Sequence, residues 1–333
     1  MDNLTHSLVG LFLARAGFKR VTPRGTAIMV LAANAPDFDA VSWFGGSATY
    51  LHWHRNITHS LVAVPIMALL AVAIVRFAGR RQIRWLPAWG IAILAVLSHL
   101  ILDLTNVYGV RLALPFTGHW WHWDLTPIID LAIWAVLLLG VAAPALGRLV
   151  GSEIGERQSG PGGAGWAVAA LLFLTGYDYG RSVLHDRAVA LMDSADHARI
   201  YSGLAPRRTA AFPAANPFVW TGIAELSNAY VEVPIDLRGA FHTDAAETFY
   251  KPERTAAVQA AMETIPFRRF LEFVQFPIWV IEPAPNLEHG TRVSLVDLRF
   301  GTPSAPGFVA VATVTDRNQV ADAELTFGRP RLR

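Results

Sequence analysis

Of 333 residues, 53% are hydrophobic and only 16% charged, against about 25% charged in ordinary soluble domains, so part of the chain is expected to lie in a membrane. A net charge of +2 without a Lys/Arg-rich block argues against a nucleic-acid partner. The absence of cysteine excludes a disulfide framework, a thiolate metal site and a thiol nucleophile, leaving His and carboxylate side chains to hold any metal.

The N-terminus, MDNLTHSL, carries Asp2 and His6 instead of a basic stretch and does not read as a cleaved secretory signal. Apolar segments follow at 4–17, 26–44, 59–78, 85–105 and 127–147, with a short sixth at 164–176. Those at 59–78, 85–105 and 127–147 approach the roughly 20 residues that a bilayer-spanning helix needs. The other three are also compatible with soluble burial. The glycine cluster SGPGGAG at 159–165 reads as a linker. The apolar excess ends near 178, which predicts a membrane-embedded all-α helical domain over 1–178 and a soluble α+β domain over 179–333.

Polar motifs and basic clusters alternate along the chain. His6 precedes Arg15, Lys19, Arg20 and Arg24; Asp37 to His59 precede Arg76, Arg80, Arg81 and Arg84; His99 to Asp124 precede Arg148 and Arg157. One hydrophobic segment separates each kind from the next, so the motifs share one face of the membrane. The positive-inside bias makes that face, and with it the C-terminal domain if 164–176 crosses, extracytoplasmic. Arg55 and Arg111 are minor exceptions.

The histidines are clustered. Seven of the eleven (His6, His52, His54, His59, His99, His119 and His122) precede residue 123. In PDFD, Pro36 disfavours helical geometry at Ala35, and Asp37 and Asp39 can then converge on one cation. His99 and Asp103 are four apart near the end of an apolar helix and share a face. That spacing suits two ligands of one metal, or a carboxylate orienting a ligating imidazole. GHWWHWD adds His119, His122 and Asp124. Taken singly, each has a structural reading: His99 as a bonded core histidine, His52 and His119 as interfacial residues beside tryptophan, Asp2 as a helix N-terminal residue, Asp130 as a packed polar group. Taken together, four segments bring His or Asp to one face, and ionisable groups there point to function. Imidazole and oxygen ligands without thiolate favour zinc, manganese or iron, with room for more than one ion.

The combination of THSL, PDFD at 36–39, HRNITHS at 54–60 and HLILD at 99–103 resembles the membrane-bound metal-dependent hydrolases, inner-membrane-associated proteins with LexA-binding members. More distantly it is similar to zinc-dependent phospholipases C and P1-type nucleases. The resemblance covers residues 1–130. It implies that His6, Asp37, Asp39, His54, His59, His99 and Asp103 are metal ligands, with His122 and Asp124 as further ligands outside any tight motif. It implies a bacterial inner-membrane or plasma-membrane hydrolase contacting lipid and acting on a phosphoester, lipid-linked or otherwise. The expected chemistry is a metal-activated water, with Asp39 or a neighbouring carboxylate taking its proton and Arg55 clamping phosphate. The rival class is a non-enzymatic membrane protein, either a metal or proton-linked transporter or an anchor for a partner-binding domain. A transporter would carry polar residues midway along its helices, and often an internal repeat. Here they gather at one end and no repeat is found, which favours the enzyme.

Beyond the boundary, 182–200 reads as an amphipathic helix, with strands within 218–237, 276–283, 291–301, 307–316 and 323–328 and a helix at 253–273. His185, His197, His242 and His289 have no ligand spacing. Asp297 and Arg299 are expected to pair, and FVQFPIW (273–279) to be a buried strand.

Overall fold

The computed structural model describes residues 1–79, 82–153, 163–195, 200–241, 243–285 and 287–328. Arg80, Arg81 and Arg157 of the basic clusters, positions 159–162 of the linker, His197 and His242 lie outside the described residues. The chain forms two compact units: Met1–Asp39 with Arg55–Asp186 and Pro213–Pro217, and Ala40–His54 with Arg187–Phe212 and Phe218–Arg333.

The first unit is helical. Helix α1 (Asn3–Arg15) starts on Asp2, whose carboxylate accepts from the Leu4 and Thr5 amides, satisfying donors that a helix start leaves open. The other Asp2 oxygen takes the Trp134 indole N–H at 3.0 Å, tying α1 to α6 (Leu131–Glu153). Helices α2 (Gly25–Ala32), α4 (Val64–Phe77) and α5 (Trp85–Thr105) complete the first core. Its contacts are rich in alanine, with Ala32, Ala33, Ala68, Ala71, Ala92 and Ala95 fully buried. Small side chains let the helix backbones approach closely. Gly10 of α1 is the tightest case, since a Cβ there would stand 2.8 Å from the Met29 carbonyl and 2.9 Å from Ala33 Cβ. A second core joins Leu8, Val9 and Phe12 of α1 to Leu102, to Ile133 and Leu137, and to Ala167, Ala170 and Leu174 of α7 (Ala164–Asp193). Asp130 caps α6 by accepting from the Ala132 and Ile133 amides.

Three elements differ from their sequence reading. The 26–44 segment is an eight-residue helix followed by 3₁₀ structure over Pro36–Gly45, because Pro36 cannot continue the regular ladder. The 164–176 segment and the amphipathic stretch after it form one continuous helix, α7. Of the three expected spans, only α5 is long and apolar enough to cross a bilayer by itself. Ser47–His59 and Val64–Phe77 qualify only jointly across a sharp bend, and Leu131–Gly147 is a shorter apolar helix.

In the second unit, α3 (Ser47–Trp53) packs with α9 (Ile265–Leu271) and β10 (Val320–Phe327). One four-stranded sheet has the order β1 (Arg208–Pro213), β2 (Val219–Glu225), β3 (Ala229–Asp236), β4 (Glu247–Tyr250). The strand-like stretch at 218–237 is a hairpin, turning at Leu226–Asn228. A second sheet has the order β10, β9 (Phe308–Val314), β6 (Thr291–Asp297), β5 (Pro277–Pro283), all antiparallel. A two-residue pair, β7 (Gly301–Thr302) and β8 (Ala305–Pro306), lies between. The helix at 253–273 is two short helices, α8 (Ala256–Met262) and α9, broken at Glu263–Thr264 before Pro266. Phe267, Phe270, Phe273 and Phe276 fill the core.

Asp297 and Arg299 do pair, at 2.7 Å and fully buried, and Arg299 also donates to the Phe273 carbonyl. Asp297→Ala strands a buried guanidinium and is expected to cost about 3–5 kcal/mol, read as a lowered unfolding midpoint of the second unit followed through its tryptophan fluorescence.

Candidate metal centre

Three separate segments assemble the centre. The 3₁₀ stretch from Pro36 presents Asp37 and Asp39, a 3₁₀ turn over Ile57–His59 presents His59, and the last two turns of α5 present His99 and Asp103. One ligand atom from each of Asp37, His59, His99 and Asp103 lies within 4.8 Å of the others, and all four residues are buried. His59 Nε2 stands 3.3 Å from Asp37 and 3.5 Å from Asp103, and His99 Nε2 stands 3.1 Å from Asp103.

The far side of each ring sets its tautomer. His99 Nδ1 is 2.7 Å from the Ala33 carbonyl, an acceptor only, so that nitrogen carries the proton. His59 Nδ1 faces Asp39 Oδ2 at 3.2 Å, which likewise only accepts. With both rings neutral, as metal ligation requires, both Nε2 atoms turn lone pairs inward, 3.1 Å apart. Two lone pairs at that separation repel unless a proton or a cation lies between them. Asp103 Oδ2, also facing the rings, is buried without a hydrogen bond. This donor set of two imidazoles and two carboxylates fits a divalent transition ion.

Around it lies a supporting layer. Asp39 Oδ2 accepts from the Arg55 amide at 3.0 Å and the Thr58 hydroxyl at 2.8 Å as well as facing His59. Burial alone would raise the Asp37 carboxyl, but the His59 hydrogen bond and the nearby His99 and His59 rings outweigh it and hold it well below the usual range. His6 stacks on His99 with ring centres 3.8 Å apart and reaches the other Asp103 oxygen at 3.4 Å. Arg55, 3% exposed and held at φ +57°, ion-pairs with that same oxygen at 2.7 Å and donates to Asn106 and to the Gly109 carbonyl. Its guanidinium also lies over the Tyr108 ring, and the Met1 nitrogen is a further partner of Asp103. Arg55 is thus spent on protein groups, and clamping phosphate would require it to leave Asp103.

Of the remaining expected residues, His54 follows α3 and belongs to the second unit, its ring stacked on Tyr50. His122 and Asp124 hydrogen-bond to each other at 2.8 Å on a loop zipped to the end of α5, with Trp123 N–H on the Leu104 carbonyl and Leu125 N–H on that of Thr105. Near them is a group the sequence reading passed over. Tyr177 donates to Asp130 at 2.9 Å, and Arg181, 1% exposed, donates to the Leu125 carbonyl. The Asp178 carboxyl beside them is pushed up to about 7 by burial and the Asp130 charge, against the pull of Arg181. The available signal was the run of ionisable residues directly after an apolar stretch. Asn106 was also missed, although its side-chain oxygen caps the Tyr108 amide at 2.8 Å and holds Arg55.

The sequence profile of the YdjM inner membrane protein family matches residues 1–185. The chain belongs to that family. It is 32% identical over 149 residues to the inner membrane protein YbcI of Escherichia coli (strain K12), covering 44% of this chain and 79% of YbcI. It is 30% identical over 150 residues to YfhP of Bacillus subtilis (strain 168), a protein described as uncharacterized, covering 43% of this chain and 46% of YfhP. The match thus spans about half the length of YfhP. No solved structure matches. The family match places this protein among inner membrane proteins, and the matched region carries the whole metal centre.

Two outcomes are expected. Asn106→Ala leaves a buried guanidinium donor unmatched and should cost about 1–3 kcal/mol, measured by chemical unfolding in detergent. Asp178 keeps its proton up to about pH 7 when folded but only to its ordinary 3.8 when unfolded. Between these values the unfolded state binds fewer protons, so stability falls as pH rises, by up to about 1.4 kcal/mol per pH unit. Asp178→Asn should flatten that slope, as read from unfolding curves collected from pH 4 to 8.

Proposed function

We propose that this protein is a membrane-bound, metal-dependent hydrolase acting on a phosphoester at the membrane surface. The observation that carries the reading is the convergence of Asp37, His59, His99 and Asp103, with both imidazoles turned inward as ligands. When bound, a divalent ion supplies Lewis acidity toward a phosphoryl oxygen and makes water a stronger acid. Zinc suits the donor set, with manganese or iron as substitutes, and His6 beside Asp103 offers a further ligand for a second ion.

The protein's own groups then have distinct tasks. Asp39 and Thr58 fix the tautomer and angle of His59, and the Ala33 carbonyl does the same for His99, which strengthens each as a ligand. Arg55 steadies Asp103 by neutralising its outer oxygen. The cluster sits in the last two turns of α5, near a helix end, a position that disfavours a mid-membrane transport path. The alternation of basic and motif segments supports an extracytoplasmic face for the centre.

Elemental analysis of detergent-purified protein tests the reading. Wild type should hold at least one equivalent of zinc or manganese, lost in His59→Ala and Asp103→Ala while both keep their far-ultraviolet dichroism, and a chelator should abolish cleavage of generic phosphoesters. Metal-free wild type, or phosphoester cleavage indifferent to chelator, would overturn it.

A further inference from the structure

Apart from the metal centre, a cleft of about 510 Å³ opens between residues 122–125 and the 178–186 part of α7. That volume lies in the range of small-molecule sites. Asp124, Asp178 and Asp186 line it, and none of its lining residues is Lys or Arg. Arg181, three residues along from Asp178, is buried and pulls against the rise that burial and the Asp130 charge impose on the Asp178 carboxyl, which stays pushed up to about 7.

Two of these acids have a buried oxygen without a donor. Asp124 is 7% exposed and held at φ +55°. Its Oδ2 takes the His122 Nδ1–H at 2.8 Å, while its Oδ1 has no hydrogen-bond partner. Asp178 Oδ1 has none either. What these two oxygens lack is a donor, and one that also brings positive charge would match the three carboxylates of the lining. An inorganic anion is excluded by the charge. A bare metal ion fits poorly, because the carboxylates and imidazoles here are not gathered within 4.8 Å as those of the metal centre are. The rings of Trp123 and Tyr179, 50% and 72% exposed, line the same cleft, and aromatic faces attract alkylated cations.

We propose that this cleft binds an organic ammonium group, with Asp124 and Asp178 accepting from its N–H bonds and Trp123 and Tyr179 flanking its carbon chain. The same chemistry is offered by an aminolipid headgroup and by a soluble amine. The proposal stands independently of the metal reading.

Saturation-transfer NMR and calorimetry on the full-length protein in detergent, with ethanolamine as probe and ethylene glycol as its uncharged counterpart, test it. Ethanolamine should bind and ethylene glycol should not. Asp178→Asn should weaken binding about tenfold, through loss of a charge-assisted hydrogen bond. Tyr179→Ala should weaken it about threefold, and because that ring faces outward the variant keeps its fold. In nanodiscs, suppression of ethanolamine binding by phosphatidylethanolamine but not by phosphatidylglycerol identifies a lipid headgroup as the source. Unchanged binding in both identifies a soluble amine. Absence of an ethanolamine signal, equal binding of ethylene glycol, or wild-type affinity in both variants would overturn the proposal.

Discussion

His59 Nε2 and His99 Nε2 stand 3.1 Å apart in an environment where neither ring is exposed to solvent. Each is turned inward because its other nitrogen is anchored, one to Asp39 and one to the Ala33 carbonyl. Burying such groups is costly unless they are paired or bound to a cation, and much of the first unit serves to meet that cost. The close packing around Gly10 and the alanine-lined contacts of α2, α4 and α5 bring the backbone of Ala33 within reach of His99. Arg55 brings a compensating charge to Asp103, and Asn106 holds Arg55. The inner groups need the outer ones, so the centre is a property of the helical unit as a whole.

Sequence made some of this plain. HLILD has helical spacing within the apolar segment expected at 85–105, and α5 spans those residues, so the shared face of His99 and Asp103 was readable. PDFD and HRNITHS mark their acids and imidazoles, and Asp37 and His59 meet in the structure. What stayed hidden depends on long-range pairing. Nothing local says that the Asp39 carboxylate goes to His59 and Thr58, that Arg55 turns inward, or that Asn106 holds Arg55. The length of α7 was obscured because the polar run from Tyr177 looked like an exit from the helix, whereas Tyr177 and Arg181 bond inward to Asp130 and Leu125. β1 and β4 are short and only weakly alternating, and the break between α8 and α9 rests on one proline-bearing turn.

The family match ends at residue 185, so the matched region contains the candidate metal-binding cluster and nearly all of the neighbouring cleft, but not the two sheets. The sheet unit is held by a different kind of interior, a phenylalanine core with one buried Asp297–Arg299 pair. The two units therefore answer to separate rules. In one, small residues let helices close around buried polar side chains; in the other, large aromatics pack around the buried Asp297–Arg299 pair.

One connection sets a schedule for assembly. The chain between His59 and α4 leaves the helical ladder, and its Leu61 N–H is taken up by the Leu112 carbonyl at 2.9 Å, while Arg55 just before it reaches Gly109. Both acceptors follow the last ligand, Asp103, in the chain. During synthesis, all four ligands exist before the backbone that fixes His59 in place has been made. The growing chain thus passes through a stage, set by the few residues from 103 to 112, in which all four residues of the cluster are present but His59 is not yet fixed in place.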